Sequence, residues 1–482
     1  MRRGWTNGAK KAGAVEAVSG AGQPPPGSFR PVARIDFTDP LVRRLCLLAI
    51  AAAVFKLTMA LCTQGTNDIT SFWMFHFRSR QMGAIPFFHA DPLYNHPPFV
   101  LNFLHLWAAL QDFTGLRFGF WMRLSGTLAD AGSLYLVYQI SRCFLGERFR
   151  FAPLALMAIS PVSLFVTGFH GNTDPFVVFF LLLAVYYASV KGQFWLAGAA
   201  FGMSCSIKVW PLVLSPVMFF YLKDWSSRFR FFLLAGAVIF LGSCPYILQD
   251  PDVLAARVLG YNSAPGCWGI TRVLSFRSSW LMANMAYIRN GRYYIIVLIL
   301  LVSYLLNRRQ ARPPLFAQFG FAVFLFLALT PGFGVQYLSW LVPWLAWAGL
   351  WYGVAFNLLG GTFLFLVYTY WSKGLPWDFA NAAVGPWGGT AIVFELLTWG
   401  LVVLYSVLSL AALWRGQAQA VALIEERHSP QFKAQVALEA IRGKRPLSEI
   451  AAQFHVEPEQ IKHWRTLAIE RLDRLFADDR RQ

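Results

Sequence analysis

Long apolar stretches separated by short polar segments dominate the chain between residues 44 and 414. A helix that spans a bilayer needs roughly 20 apolar residues, and runs near that length recur throughout this region. The pattern predicts an all-α, polytopic membrane helix bundle with about twelve crossings, at 44–63, 120–142, 151–168, 175–190, 194–210, 211–222, 231–248, 292–307, 314–330, 337–353, 354–371 and 390–414. Prolines at 211 and 216 predict broken helices there, which neighbouring helices can accommodate.

One apolar run does not fit a crossing. Residues 97–110 form a run of about fourteen residues, a length typical of a re-entrant or interfacial segment. If this run crossed, the basic loop 142–150 would lie outside, against the positive-inside rule. We therefore predict that 64–119 is one external element lying partly in the membrane surface.

Composition supports a membrane protein. The 482 residues are 56% hydrophobic and only 14% charged, too little charge for a soluble protein of this length. Much of the net charge of +18 lies in short loops between apolar runs, including 142–150, 223–230 and 308–312, so it indicates topology and not nucleic-acid binding. Both termini are predicted to be cytoplasmic. The six scattered cysteines form no CxxC pair, which favours buried hydrophobes over a metal or redox site.

Composition also divides the chain. Residues 1–43 are basic, contain a run of three prolines and are predicted to be a disordered cytoplasmic segment. The transmembrane domain covers 44–415, a linker covers 416–428, and a soluble domain of three short amphipathic helices covers 429–482.

Polar residues gather at the predicted outer ends of the helices. Asp68 follows the first span, where a carboxylate can take a proton from an acceptor hydroxyl; the alternative is the solvated start of a loop. His170, Asn172 and Asp174 lie together between two apolar runs. Helix capping explains the Asp174-Pro175 pair but does not require His170.

Lys208 stands beside Trp210 between two apolar runs. A lysine at a membrane edge is a candidate for binding phosphate, although near a helix end it can simply extend its ammonium to the interface. Arg123 and Asp130 share one face of a predicted helix and are interpreted as a structural pair or an anchor for the external element. Further polar and aromatic candidates lie in the outer loops: Asn95, His96, Tyr261, Trp268, Gln336 and Tyr337.

In their order along the chain, these segments resemble the GT-C superfamily of integral-membrane glycosyltransferases, which use polyprenyl-phosphate-linked sugars. The resembling segments are 67–68, 94–98, 170–174, 207–211, 261–270 and 336–337. The resemblance implies that Asp68 is the catalytic base, that His170 and Lys208 lie near the donor phosphate, and that Asn67 and the other candidates bind substrate. No paired Asp-x-Asp stands at the first loop, so no cofactor is assigned, and Mg²⁺ or Mn²⁺ stays open.

The expected function is transfer of a hexose, with inversion, from a polyprenyl-phosphate donor to a hydroxyl of a lipid-linked or glycan acceptor. The expected location is the periplasmic face of a bacterial inner membrane, in contact with membrane lipids. A transporter or flippase is the alternative; it should show an inverted repeat with polar sites at the midplane, and the sequence shows no internal repeat.

Residues 429–464 resemble the N-terminal helix-turn-helix of IS3-type transposases. The second helix of such a motif would present Gln460, Lys462 and Arg465 to DNA. From residue 425 to the end the chain carries 11 basic and 10 acidic residues, whereas DNA-binding modules normally have a basic surface. A membrane-tethered DNA-binding regulator and a relic of an inserted element therefore stay open.

Overall fold

The computed structural model describes residues 37–145, 151–261, 263–309, 312–415, 430–443, 445–454 and 458–470, and their secondary structure is almost entirely helical. The helices of the membrane part are α1 (Pro40–Cys62), α2 (Asn67–Met82), α3 (Ala84–Ala90), α4 (Val100–Thr114), α5 (Phe118–Leu145), α6 (Phe151–Ala158), α7 (Pro161–Phe165), α8 (Asp174–Tyr186), α9 (Phe194–Ile207), α10 (Ser215–Tyr221), α11 (Trp225–Gln249), α12 (Pro251–Leu254), α13 (Gly269–Ser275), α14 (Ser278–Ala283), α15 (Met285–Asn307), α16 (Leu315–Leu329), α17 (Leu350–Trp371) and α18 (Thr390–Trp414).

Seven helical segments among the described residues are long and apolar enough to cross a membrane: Pro40–Cys62, Phe151–His170, Asp174–Lys191, Trp225–Gln249, Met285–Asn307, Leu350–Trp371 and Thr390–Trp414. Three shorter apolar helices accompany them, at Phe194–Ile207, Trp210–Tyr221 and Leu315–Leu329. Helix α5 has 28 residues but is more polar. A helical membrane bundle is therefore confirmed, whereas the count of about twelve crossings is not.

Two predicted boundaries are wrong. The span at 337–353 is not one helix, because it consists of two 3₁₀ segments, Val335–Trp340 and Val342–Trp347, before α17 begins. Gly349, with a φ of 98°, separates them from α17. The disordered segment predicted for 1–43 also extends too far, because α1 begins at Pro40 with Asp39 as its N-cap. A proline at the first helical position needs no hydrogen-bonded N–H.

Close helix packing forms the centre of the bundle. Helix α9 packs against α8 on one side and α11 on the other. A Cβ atom on Gly198 would lie 2.2 Å from the carbonyl oxygen of Phe231, so the backbones of α9 and α11 approach too closely for any side chain there.

Five tryptophans are among the largest fully buried side chains: Trp107, Trp268, Trp340, Trp344 and Trp347.

The external element predicted at 64–119 contains α2, α3 and α4. The short apolar run forms α4, which has 15 residues, and is preceded by the turn that contains Asn95 and His96. Arg257 belongs to the segment directly after α12. Its guanidinium donates hydrogen bonds to the carbonyl oxygens of Phe88, His89 and Asp91 and so attaches that segment to the element.

A second loop holds the start of α2. Strand β1 (Gly65–Thr66) pairs in parallel with β2 (Phe379–Ala380). The side chain of Gln64 donates to Asp378 at 2.8 Å, and the amide oxygen of Asn67 accepts the backbone N–H of Ala382 at 2.8 Å. The loop between α17 and α18 therefore fixes the segment that carries Asp68.

The described part of the tail contains three helices, Pro430–Arg442, Leu447–Phe454 and Pro458–Glu470. Their small core contains Val436, Ile450, Ile461 and Trp464. Lys462 and Arg465 are exposed, whereas the side chain of Gln460 and the predicted linker 416–428 lie outside the described residues. DNA binding by the tail stays a prediction.

Candidate functional site

Asp68 lies in the first turn of α2, which Thr66 caps. One carboxylate oxygen, Oδ2, accepts two hydrogen bonds, from Nε2 of His170 at 3.0 Å and from Nδ2 of Asn172 at 2.7 Å. The other oxygen, Oδ1, has no hydrogen-bond partner among the residues that the structure describes. The side chain is about one-third exposed. Asp68 therefore combines a fixed orientation with one oxygen open to a ligand.

The loop after α7 brings the two donors to Asp68. A π-helical turn, Val166–His170, ends the helix, and Gly171 follows with a φ of +71°. A Cβ atom on Gly171 would lie 2.5 Å from Cδ1 of Ile69, so glycine is required both for this backbone conformation and for the close approach to α2. Thr66 donates its hydroxyl to the carbonyl oxygen of His170 at 2.8 Å.

Arg123 is the buried anchor of this loop. Its side chain, 2% exposed, donates to the carbonyl oxygens of Ala60, Thr63, Gly119 and Gly168 and to the hydroxyl of Thr63. Five hydrogen bonds use the five N–H groups of a guanidinium. Arg123 therefore holds the end of α1 a few residues before Asp68. Its role as an anchor of the external element stays a prediction.

The alternative pairing of Arg123 with Asp130 is wrong. Seven residues along a helix amount to about 10 Å of rise, too far for direct contact. Asp130 instead accepts hydrogen bonds from Lys56 of α1 and from the hydroxyls of Ser163 and Thr167. This cluster joins α1, α5 and α7 inside the bundle.

Asp174 and Lys208 form the second polar centre. Nζ of Lys208 lies 2.7 Å from Oδ2 of Asp174, and Nε1 of Trp340 donates to Oδ1 at 2.6 Å. Asp174 is completely buried at the start of α8. Lys208 is therefore paired with a carboxylate, a partner that the sequence did not assign to it.

The two centres border one cavity of about 720 Å³, within the usual range for ligand sites. Its wall includes Asp68, Asn95, His96, Asn172, Lys208, Trp210, Tyr261, Gln336 and Tyr337. Three rings stack along one side, with Trp340 between Trp210 at 4.2 Å and Tyr337 at 4.1 Å. Such a wall offers both apolar surface and charged groups to a ligand.

Burial and neighbouring charges together set the protonation of two titratable groups at the cavity wall. Burial favours the neutral carboxyl of Asp68, but the hydrogen bond and charge of His170, the charge of Lys208 and the bond from Asn172 outweigh it, so the pKa of Asp68 is lowered. Burial, with the charge of Lys208, lowers the pKa of His96 to about 3. At neutral pH the cavity therefore presents an ionised Asp68 and a neutral His96.

Arg292 is a cavity residue that sequence reasoning missed. Its guanidinium donates to the carbonyl oxygens of Leu259 and Tyr261, at 2.7 and 3.4 Å, and its Nε has no partner among the described residues. A signal was present, because Arg289 and Arg292 stand near the predicted outer end of a span, where the positive-inside rule disfavours them. Trp340 and Tyr368 were also missed, since each lies within an apolar run.

Four predicted site residues do not line the cavity. His170 bonds to Asp68 and Asp174 bonds to Lys208, so both contact residues of the cavity wall without lining it themselves. Trp268 is fully buried, stacks on Phe333 at 4.2 Å and donates its indole N–H to a backbone carbonyl. Asn67 binds the Ala382 backbone. Core packing accounts for Trp268 and loop attachment for Asn67, and substrate binding by either residue stays a prediction.

Metal ligation has little support in the donor set. Across the described ranges, no three His, Cys, Asp or Glu side chains are grouped so that they could hold a metal ion. The acidic residue at the cavity wall, Asp68, has its Oδ2 occupied by two N–H donors. A divalent cation would have to take most of its ligands from substrate or water.

Comparison with known families gives one match. The family description "Glycosyltransferase family 87" fits residues 94–256, about a third of the chain, and no curated protein matches with significance. The matched segment contains His96, His170, Asp174 and Lys208 but begins after Asp68. Together with the apolar helices, the match indicates a multi-pass membrane glycosyltransferase. It gives no support to the transposase resemblance of the tail.

Proposed function

We propose that the protein transfers a hexose from a polyprenyl-phosphate donor to an acceptor hydroxyl, with inversion at the anomeric carbon. The observation that carries this proposal is the carboxylate of Asp68 at the cavity wall, with Oδ2 held by two N–H groups and Oδ1 open. The family match supports the reaction class.

In the proposed reaction, Oδ1 of Asp68 takes the proton of the acceptor hydroxyl as the acceptor oxygen bonds to the anomeric carbon. The bond from that carbon to the phosphate oxygen breaks, and its electron pair leaves with polyprenyl phosphate. A phosphate leaving group needs little help from an acid, so one carboxylate suffices, whereas a glycosidase uses two. Cations at the cavity wall would stabilise the departing charge.

The placement of the charges supports an outward-facing site. Arg312 bonds to the carbonyl oxygen of Tyr221 at 3.0 Å and Arg309 to that of Trp414, so these two arginines of the basic loop lie at the C-terminal ends of α10 and α18. The loop that pairs with the segment before Asp68 precedes the opposite end of α18. The positive-inside rule assigns the basic loop to the cytoplasm. In a bacterial inner membrane, Asp68 would then face the periplasm, and both the donor and a lipid-linked or glycan acceptor would reach it from that side.

Reconstitution of the full-length chain in lipid nanodiscs tests the proposal. Synthetic polyprenyl-phosphate hexoses are supplied with inner-membrane lipid extract or short glycans, and mass spectrometry follows free polyprenyl phosphate and the acceptor gaining one hexose. Asp68→Asn should lower kcat by about a thousandfold, the scale of a general base. Asp252→Asn, which removes an exposed carboxylate from α12, should leave it unchanged.

Two results would refute the assignment. One is normal transfer by the Asp68→Asn variant. The other is movement of the intact donor across vesicle membranes without release of polyprenyl phosphate, which would favour a transporter instead.

A further inference from the structure

Tyr368 continues the hydrogen-bonded chain that begins at Asp68. Its hydroxyl lies 3.1 Å from Nδ1 of His170, whose Nε2 lies 3.0 Å from Oδ2 of Asp68. Tyr368 is completely buried in α17, and His170 is 3% exposed. Both ring nitrogens of the histidine therefore have a protein partner in a region closed to bulk water.

The direction of each hydrogen bond follows from the donors available. A buried phenol proton left without an acceptor is energetically costly, and among the described residues the partner of the Tyr368 hydroxyl is Nδ1 of His170. Nδ1 then carries a lone pair, so a neutral imidazole carries its proton on Nε2. That N–H points at Oδ2 of Asp68, which as a carboxylate can only accept.

The opposite tautomer would disturb Asp68. A lone pair on Nε2 would then face Oδ2 at 3.0 Å, where two acceptors repel each other. The second donor cannot replace the lost bond, because the amide of Asn172 is already oriented: its Oδ1 accepts the backbone N–H of Thr173 at 2.6 Å while its Nδ2 donates to Asp68.

We propose that Tyr368 is a positioning residue that fixes the tautomer of His170, and through it holds the Asp68 carboxylate with Oδ1 toward the acceptor. The catalytic consequence of this inference rests on the proposed function, whereas the tautomer of His170 is independent of it. Tyr368 lies outside the segment that matches the glycosyltransferase family. The role depends on one hydroxyl group.

Packing around the ring makes the test clean. The ring of Tyr368 contacts those of Phe169 and Trp377, at centroid distances of 5.4 and 5.7 Å. Tyr368→Phe keeps these contacts and removes the hydroxyl alone. A matched control is Tyr352→Phe, since Tyr352 is a buried tyrosine of the same helix whose hydroxyl bonds to the carbonyl oxygen of Leu401 at 2.6 Å.

The first readout is the protonation of the His170 ring in the full-length protein. Histidine labelled with ¹⁵N, with His170 assigned by a His170→Gln variant, should show a protonated Nε2 and an unprotonated Nδ1 in the wild type. Tyr368→Phe should mix the two tautomers or protonate both nitrogens, and Tyr352→Phe should change neither. A protonated Nδ1 in the wild type, or an unchanged ring in Tyr368→Phe, overturns the proposal.

The second readout is kinetic. Tyr368→Phe should lower kcat about tenfold, the scale of one hydrogen bond near a charged group, with KM little changed, while Tyr352→Phe keeps both. Equal losses in the two variants would mean a general effect on packing and would overturn the positioning role. If the wild type transfers no sugar, the proposed function fails, but the nitrogen spectra still decide which tautomer His170 adopts. If Tyr368→Phe does not fold, the spectra of the wild type alone decide the tautomer.

Discussion

Asp68 and Asp174 are two carboxylates of one site with opposite surroundings. Asp174 is completely buried, and each of its oxygens receives a hydrogen bond, one from Lys208 and one from Trp340. Asp68 is about one-third exposed, and the two side-chain hydrogen bonds that it accepts from described residues reach the same oxygen.

This difference separates a carboxylate that stabilises the structure from one that can react with a substrate. A carboxylate with both oxygens bonded and no contact with water cannot readily take a proton from a substrate. One whose second oxygen faces a cavity can do so without losing its orientation. The pairing also changes the interpretation of Lys208, because a phosphate near it would meet an ammonium whose charge Asp174 already compensates in part. Within the described part of the chain, Arg292 bonds to carbonyl and hydroxyl oxygens and to no carboxylate, so its charge is available to the cavity.

The largest effect is expected on stability at Asp174. Asp174→Asn leaves the mostly buried ammonium of Lys208 without a counter-charge, which costs about 3 kcal/mol of unfolding free energy when a buried pair is broken. Asp68→Asn should cost far less, because an asparagine can still accept both N–H groups and turn its amide to the cavity. Thermal unfolding in detergent compares the two variants.

The double variant Asp174→Asn/Lys208→Met controls this test. Removing both charges should recover part of the stability lost in the single variant, since the uncompensated charge is gone. Equal unfolding midpoints for Asp68→Asn and Asp174→Asn would remove the distinction between the two carboxylates.

Much of the helical framework could be predicted from the sequence. The observed α18 has the predicted bounds, and the short apolar run at 97–110 does form a separate helix, α4. Apolar length and charge bias set such elements locally. The 3₁₀ region after residue 334 was missed because its three buried tryptophans gave the sequence the apolar character of a membrane span. Pro343 and Gly349 interrupt a regular α-helix there.

The pairings of the site could not be predicted in this way. Asp68 and His170 are 102 residues apart, and their contact depends on how α1, α5 and α7 pack. Tyr368 gave no signal of its own, since aromatic residues near a helix end, such as Tyr368, Tyr370 and Trp371, usually belong to the interfacial belt. A sequence therefore indicates which polar groups gather at the ends of the helices, but only the packing decides which of them meet.

A smaller effect is expected at Arg123, which holds the end of α1 beneath Asp68. Arg123→Lys offers three N–H groups in place of five and would leave carbonyl oxygens at Ala60 or Thr63 without donors. The expected loss is about 2 kcal/mol of stability, with kcat lowered several-fold because Asp68 is less firmly placed.

Arg117→Lys is the matched control for this variant, since Arg117 is exposed just before the same helix. Arg117→Lys should have the unfolding midpoint and the kcat of the wild type. Stability loss without any change in kcat would show that the α1 anchor does not position Asp68.

The smallest effect concerns the protonation of Asp68. Because its pKa is lowered in the folded protein, its stabilising contribution is complete above the unfolded pKa and is lost as the pH falls through the folded pKa. Transfer should accordingly persist on the acid side for as long as Asp68 stays ionised. Asn172→Ala removes one N–H donor from Oδ2, which raises the pKa of Asp68 and moves the acid limb of kcat/KM to higher pH.

The shape of that profile distinguishes the two carboxylates. Asn102→Ala, at an exposed position on α4, should leave the acid limb in place, which would show that loss of an amide away from Asp68 has no effect. If Asp174 were the base instead, removing Asn172 would leave the acid limb unchanged, since the hydrogen bonds of Asp174 come from Lys208 and Trp340. A shift in Asn172→Ala alone therefore assigns the titrating carboxylate to Asp68.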